Sequence, residues 1–202
     1  MGLLSPFKRQ ERSHMALNLT TRADYKTYAG IKSTNEDGII DFLLPKVSQL
    51  VKTYCRRTFV DYMDTDKVEV FTGGYDTLIL TETPVVSIAS VQYSADYGQT
   101  YTALTEYTDW VLDNDKILSL ATTGFKRAAK GYKVTYRAGY DDVPNDIELA
   151  VLDLISYYRR NDGAIHSAKS PGSNSVQIEY ISTTSLPAHI RRVLDQYVAD
   201  YT

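Results

Sequence analysis

The sequence predicts an α+β protein, built as a small helical bundle with a β-rich insert between the second and third helices and a C-terminal strand plus helix. Apolar residues recur at helical spacing in two segments, before residue 57 and after residue 144. Between them, short stretches of alternating apolar and polar residues are separated by turns rich in Gly, Asp and Asn. The 202 residues are 43% hydrophobic and 23% charged, which is typical of one globular domain.

The chain begins with a short basic segment, which we predict to be an N-terminal arm over residues 1–17, either mobile or docked on a neighbour. Its apolar run is too short for a signal peptide, and no small-residue cleavage site follows it. A short helix is predicted over 22–29. Thr20 or Thr21 can cap its start, and Gly30 can end it in a left-handed conformation.

A long amphipathic helix is predicted over about 36–56. Residues 34–37 resemble a capping box in which Asp replaces the usual Glu. Pro45 lies inside the helix and removes one backbone hydrogen bond, which predicts a kink or a break at Leu44. The apolar side chains predicted to share one face are Ile39, Leu43, Val47, Leu50 and Tyr54, widened by Ile40, Leu44 and Val51.

The β-rich insert is predicted over about 66–138 and contains six or so short strands. Gly73 and Gly74 fit one turn, and Asn114 with Asp115 suits a tight turn between two later strands. The predicted strands cover residues 68–72, 77–81, 85–94, 109–112, 116–120 and 132–138.

The helical period returns after the insert. A third helix is predicted over about 144–160, so that residues 18–162 form a helical core that carries the insert. Small and polar residues predict a flexible linker over 163–175. The segment 176–202 then contains an alternating, strand-like stretch and a last helix that starts at Pro187, and we interpret it as a docking strand and helix.

Charge is distributed unevenly along the chain. Residues 60–120 contain eleven acids and two bases, a local charge of −9, so the remainder carries +6 in a chain of net charge −3. This pattern is typical either of one solvated acidic face or of two electrostatically different surfaces. Tyr accounts for 17 of the 23 aromatic residues, and its apolar ring and polar tip suit half-buried surfaces and interfaces.

No set of residues in the sequence predicts catalysis, a metal or a cofactor. Cys55 lies beside Arg56 and Arg57, which would lower the pKa of a thiol, but no thiol-enzyme motif surrounds it and a small buried residue is favoured. The three histidines lack ligand spacing. We therefore expect a protein that is not an enzyme and does not span a membrane. The bases that could contact phosphate, although a solvated loop and strand edge is favoured, are Lys126, Arg127, Lys130, Lys133 and Arg137.

Several short motifs occur together and in a specific order. The most specific are the strand segment 80–91, which reads Leu-x-x-x-Pro-Val-x-Ser-Ile-x-Ser-Val, and the turn 136–147, which contains Tyr-x-Ala-Gly-Tyr and then Val-Pro-x-Asp-Ile. Further matching segments are 54–59 (Tyr-Cys-Arg-Arg-Thr-Phe), 107–113 and the Leu-Pro pair at 186–187. Over about residues 18–201, the chain resembles the head–tail connector proteins of tailed bacteriophages, also called adaptor or head-completion proteins.

The resemblance implies a structural virion protein with no cofactor. Such proteins form a ring, commonly a dodecamer, beneath the portal protein, where they extend the DNA channel and join the capsid to a stopper or tail protein. It also implies a location in the neck of the virion, assembly in the host cytoplasm and a part in viral genome packaging. An acidic channel wall would let DNA pass without specific binding.

Two sets of contact residues are predicted on this basis. We expect the C-terminal segment to face the portal, because the linker would let it reach away and its strand could add to a partner's sheet edge. The alternative that the last helix packs on its own bundle stays open. The predicted portal-binding residues are Val176, Ile178, Tyr180, Ile190, Arg191, Arg192, Val193, Leu194 and Tyr197. The predicted contacts between ring subunits are Arg56, Arg57, Lys126 and Arg127.

Three other functions are weighed against the connector. Another neck protein, such as a stopper or tail-completion protein, would share the virion and the ring. A carbohydrate-binding or hydrolytic β module would need a concave cluster of aromatic residues with acids nearby. A nucleic-acid-binding protein could use the basic stretch over 126–137, but the net acidity of the chain argues against it.

Overall fold

The structure is a computed structural model that describes residues 17–159, 166–168, 177–179 and 186–199. Its helices are α1 (Arg22–Ala29), α2 (Asp37–Cys55), α3 (Asn145–Arg159) and α4 (Ala188–Leu194), the last followed by a 3₁₀ turn (Asp195–Tyr197). Its strands are β1 (Lys67–Phe71), β2 (Thr77–Ile79), β3 (Val85–Tyr93), β4 (Thr102–Leu104), β5 (Trp110–Asp113), β6 (Lys116–Ser119), β7 (Tyr132–Ala138), β8 (His166–Ala168) and β9 (Gln177–Glu179). The predicted α+β class is confirmed, with the insert between α2 and α3.

The start of α2 does not form the predicted capping box. Glu36 has a helical conformation and makes no side-chain cap. It forms an ion pair with Arg159 of α3 instead, while the carboxylate of Asp37 lies 2.7 Å from the Lys26 ammonium of α1. The Asp37 carboxylate, which the capping box would have used, therefore pairs with a cation of a neighbouring helix. At α1, by contrast, the predicted cap is confirmed, because the Thr21 hydroxyl accepts a hydrogen bond from the Asp24 amide.

The predicted break at Leu44 is also wrong, because α2 continues through Pro45. Pro45 and Asp41 are both on the exposed side of the helix, where a carbonyl that lacks its N–H partner can be hydrated. The buried face is rotated relative to the predicted stripe: Ile39 and Leu50 are exposed. Ser48 and Lys52 are buried in their place, since both have polar partners inside the molecule.

The described residues form two hydrophobic cores. We call the first the helical lobe; its core lies between α1, α2, α3 and α4 and contains fully buried side chains such as Val51 and Leu154. We call residues 67–138 the β lobe. Its core lies between a four-stranded antiparallel sheet, ordered β1-β7-β3-β4, and a three-stranded sheet, ordered β2-β6-β5. Strand β4 was not predicted, and the other six match the prediction closely.

Strand β1 presents its valines outward. Val68 and Val70 are 57% and 50% exposed, whereas Glu69 between them points inward. The Glu69 carboxylate lies 2.8 Å from the Lys67 ammonium and accepts a hydrogen bond of 2.9 Å from the Tyr136 hydroxyl. Because these two partners hold the Glu69 carboxylate inside the protein, the valines on either side of it point toward solvent.

A polar junction connects the two lobes. Glu82, which is 6% exposed, accepts a hydrogen bond from the backbone amide of Thr58 in the helical lobe and lies 3.4 Å from the Lys67 ammonium. The Glu82 amide in turn donates to the Tyr136 hydroxyl. Burial raises the pKa of Tyr136 well above its ordinary value, so that the phenol stays protonated and can donate.

The last helix packs against the helical lobe of its own chain. Ile190 and Leu194 are 2% and 0% exposed and lie in the helical core, and the Ala199 amide donates to the Cys55 carbonyl at 2.9 Å. The Tyr197 hydroxyl donates to the Asp146 carboxylate. This is the arrangement that the sequence left open as the alternative to a free docking helix.

Strands β8 and β9 form an antiparallel pair, so part of the stretch predicted as a linker, at His166–Ala168, is a strand. The rest of that stretch, the predicted arm over 1–16, and Val176 and Tyr180 lie outside the described residues. In the described part of the chain, no helix is long and apolar enough to cross a membrane.

Candidate interaction surfaces

Within the described ranges, no group of three or more His, Cys, Asp or Glu side chains is placed to hold a metal ion. Cys55 is completely buried, and its thiol donates to the Leu194 carbonyl at 3.7 Å. Desolvation by burial raises the pKa of the Cys55 thiol to about 12, which outweighs the opposing effect of Arg57. The interpretation of Cys55 as a small buried residue is therefore confirmed.

The most exposed aromatic residues lie at one end of the β lobe. At this end, strands β1, β7 and β3 are paired across the sheet at Phe71, Tyr132 and Tyr93. The opposite ends of the same three strands meet the helical lobe. We call it the distal end, and it carries the β1–β2, β3–β4 and β6–β7 loops. The loops at or beside this end present the exposed side chains Tyr75, Tyr97 and Tyr107, which are 70%, 75% and 77% exposed.

The β3–β4 loop is held by its own hydrogen bonds. The Asp96 carboxylate accepts from the Ser94 hydroxyl at 2.6 Å and from the amide and hydroxyl of Thr100 at 2.9 and 2.6 Å. These bonds, from Ser94 and then Thr100, hold the pKa of Asp96 far below its ordinary value. Tyr97 at the tip has a φ of 60°, a conformation that non-glycine residues adopt at a cost. The loop thus displays an ordered, exposed tyrosine.

A cleft of about 220 Å³ opens at the same end. Tyr93, Phe125 and Tyr132 form an aromatic wall, in which the rings of Phe125 and Tyr132 meet edge to face at 4.8 Å. Asp109 also lines the cleft, but its carboxylate accepts the Thr105 amide at 2.7 Å and so orders the adjacent loop. The cleft is of a size to take one large apolar side chain from a partner.

The predicted subunit contacts fall at two separate places. Lys126 and Arg127 are exposed at the distal end, with the Lys126 ammonium 5.9 Å from the centre of the Tyr93 ring. Arg56 and Arg57 follow the end of α2, beside the junction between the lobes. Arg57 is half-buried and donates to the Thr83 carbonyl at 3.5 Å. The four residues do not form one continuous patch.

The predicted portal-binding residues divide by exposure. Ile190 and Leu194 are committed to the helical core, and Val193 and Tyr197 pack partly against it. Arg191 and Arg192 are exposed on the opposite side of α4. Only the backbone of Ile178, in β9, is described.

Sequence reasoning missed the tyrosine-tipped loops. Their signal was present, because Tyr75 and Tyr97 stand next to glycine and aspartate in turn sequences, where a large aromatic residue has no core to fill. It also missed the exposed apolar side of α2, which includes Ile39 and Phe42. Hydropathy alone could not decide which side of α2 faces outward.

A body without a metal-ligand cluster in its described residues, and with exposed tyrosines and arginines, has the features of a protein that works by assembling with others. The comparisons with known proteins specify the class further. The chain belongs to the head completion protein family, whose model matches residues 18–199. The resemblance seen in the sequence is thereby confirmed.

Solved structures share the fold. One is the neck of an empty gene transfer agent (GTA) particle computed with C6 symmetry, with a TM-score of 0.58, 14% identity and coverage of 94% of this chain and 92% of that chain. A second is the virion of a native GTA particle, with a TM-score of 0.58, 13% identity and coverage of 94% and 93%. A third is the neck of a native GTA particle computed with C12 symmetry, with a TM-score of 0.53, 14% identity and coverage of 93% and 97%. A search of the curated proteins found no match.

Proposed function

We propose that this protein is a structural component of a virion neck, an adaptor that forms a ring under the portal, extends the DNA channel and joins the capsid to the tail. The observation that carries this proposal is the family match over 18–199, in a chain whose whole fold is shared with chains of GTA necks and virions. Its neck location, assembly in the host cytoplasm and lack of catalytic activity are parts of the same proposal.

A ring requires a heterologous contact, in which one face of a subunit meets a different face of the next. The C12 symmetry of one GTA neck structure supports a count of twelve, and the C6 symmetry of the other is compatible with that count. The distal bases Lys126 and Arg127 and the junction bases Arg56 and Arg57 supply positive charge at two places. Acidic residues of the neighbouring subunit, from the stretch over 60–120 with its local charge of −9, would pair with one or both of these basic sites.

We place the portal contact at the C-terminal segment. Ile190 and Leu194 are buried in the helical core, so the residues of α4 that we expect to contact the portal are Arg191 and Arg192. Both can pair with acidic residues of the portal. The tail side of the ring would then bind a stopper or tail protein, and DNA would pass through the ring without specific binding.

Electron microscopy of the purified protein, alone and mixed with the portal protein, tests the proposal. We expect rings with a central hole that stack on one end of the portal. Binding to the stopper's site on a preformed connector, with no capture by the portal, would assign the protein to the alternative neck role. Saturable binding of an oligosaccharide in the aromatic cleft would contradict both roles.

Matched variants separate the portal contact from folding. Arg191→Glu with Arg192→Glu should weaken portal capture while the melting temperature falls only slightly, since both side chains are exposed and the ion pair that is lost, from Arg191 to Asp195, is exposed too. Leu194→Ala should lower stability by about 2–5 kcal/mol, because it opens a cavity in the helical core. If the arginine variant binds the portal normally, α4 is not the contact.

A further inference from the structure

A groove of about 540 Å³ lies where the described chain begins, and we call it the entry groove. Leu44, Val60 and Val143 supply apolar lining, and Asp41, Asp141 and Asp142 supply acidic lining. Arg22 balances one of these charges, since its guanidinium lies 2.6 Å from the Asp41 carboxylate. Asp141 and Asp142 are both exposed.

The chain enters the body at the edge of this groove through a fixed point. The Lys52 ammonium donates to the Leu17 carbonyl at 2.6 Å, and the Asp61 carboxylate accepts from the Leu17 amide at 3.1 Å. Lys52 and Asp61 also pair with each other at 2.5 Å, and each side chain is 3% exposed. Leu17 itself lines the groove and is 53% exposed. Residues before Leu17 therefore start beside the groove.

We propose that residues 1–14 of the same chain dock in the entry groove. This segment lies outside the described residues, and its sequence matches the groove in two ways. It carries apolar side chains and a net positive charge, the latter from Lys8, Arg9 and Arg12 against Glu11. Asp141 and Asp142 complement that charge, and the apolar wall complements Leu3, Leu4 and Phe7.

The occupant is this chain rather than a neighbouring copy because the segment is tethered at the groove. A short tether gives an effective concentration in the millimolar range, above that of a second copy in dilute solution. Docking would also keep the basic segment on the protein body, so that it does not bind other acidic molecules such as DNA. The entry groove is thus the binding site for a segment that precedes the region matched by the family.

Limited trypsin digestion of the full-length protein tests the proposal, because cleavage after Lys8, Arg9 and Arg12 reports whether the segment is docked. We expect the double variant Asp141→Asn, Asp142→Asn to be cleaved there about fivefold faster than the wild type, the effect of losing two exposed ion pairs of ordinary strength. The matched control is Asp64→Asn with Asp113→Asn, which removes the same charge from exposed positions outside the groove lining. Its cleavage rate should equal that of the wild type.

Two further measurements complete the test. The difference between wild type and groove variant should shrink at 0.5 M salt, where exposed charges are screened. Protection should not depend on protein concentration if the segment docks on its own chain. Equal rates for all three proteins at low salt would overturn the proposal, and so would protection that increases with concentration, which would make a second copy the occupant. Neither result depends on whether the protein forms a ring.

Discussion

Lys52 and Asp61 are oppositely charged side chains that are almost completely buried in the helical lobe. Neither could be kept there alone, because an unpaired buried charge costs several kcal/mol. Together they also bind both backbone groups of Leu17. A sequence shows only a lysine on a predicted helix and an aspartate after it, so hydropathy assigns both residues to the surface.

We expect Lys52→Met to lower the free energy of unfolding by about 3–5 kcal/mol, because it leaves the Asp61 carboxylate buried without its cation. The double variant Lys52→Met, Asp61→Leu should lose less, since no buried charge remains. Urea unfolding measures both. Arg22→Met, which removes an exposed ion pair to Asp41, is the control and should cost less than about 1 kcal/mol. A double variant as unstable as the single one would contradict this account.

Cys55 gives the stability of the protein a dependence on pH. Burial raises its pKa to about 12 in the folded protein, from an ordinary value of 9.0. Above pH 9 the unfolded chain therefore loses the thiol proton while the folded protein keeps it, so stability falls as pH rises, by up to about 1.4 kcal/mol per pH unit.

Comparing Cys55→Ala with the wild type isolates this effect. Urea unfolding between pH 8 and pH 10 should give a shallower decline for the variant, whatever its stability at pH 8. Tyrosines with raised pKa values, such as Tyr197 at about 12, begin to contribute to the decline near pH 10, but they contribute equally in both proteins, so the difference between the two slopes reports the thiol. Identical slopes would show that the thiol ionises as easily in the folded protein.

At the scale of elements, the turn from β7 into α3 depends on Gly139. Its φ is +121°, and a Cβ added there would lie 2.2 Å from the Phe59 carbonyl oxygen. The close approach lets the Tyr140 amide donate to that oxygen at 2.8 Å and the Gly139 amide donate to the Pro84 carbonyl at 2.9 Å. The turn therefore fixes the end of the β lobe against the helical lobe.

We expect Gly139→Ala to destabilise the protein by about 2 kcal/mol or more, since the methyl group meets backbone that cannot move aside. Gly38→Ala is the control. Gly38 lies in α2 with no heavy atom within 4 Å of an added Cβ, so that substitution should stabilise by about 0.5–1 kcal/mol. Thermal unfolding of the two variants shows whether their effects have opposite signs.

Elements were predictable where local chemistry decides them. Thr21 and Gly30 bound α1, and Asn114 with Asp115 turns β5 into β6, because cap and turn geometry depends on neighbouring residues. The rotation of α2 was not predictable, since Ser48 and Lys52 are buried by partners distant in sequence. The inward orientation of Glu69 was not predictable either, because its partner Tyr136 is also distant in sequence. The contact residues stay predictions, because charge along a sequence does not show which residues meet a partner.

At the scale of the whole molecule, the two lobes carry different exposed surfaces. The helical lobe carries α4 and the entry groove, whereas the distal end of the β lobe carries Tyr75, Tyr97 and the aromatic cleft. Aromatic residues on ordered loops lose little conformational entropy on binding, so they commonly contribute much of the binding energy of an interface.

We expect Tyr97→Ala with Tyr107→Ala to weaken ring formation or capture of one neck partner by about tenfold or more. The melting temperature should change little, because both side chains are more than 70% exposed. Tyr158→Ala, on α3 of the helical lobe, is the control. Mass photometry and pull-down with the purified portal and tail-side proteins measure the outcome. Normal assembly with every partner would exclude the distal end as a contact.

The division into two hydrophobic cores gives each lobe its own intrinsic reporter. Trp110, the single tryptophan, is 4% exposed in the core of the β lobe, and Cys55, the single cysteine, is buried in the helical core. Indole fluorescence therefore follows the opening of one lobe, and the rate of thiol alkylation follows the opening of the other. If both signals change at the same denaturant concentration, the buried polar contacts around Glu82 transmit unfolding from lobe to lobe, and an unlabelled, unmodified chain is enough to measure that cooperativity.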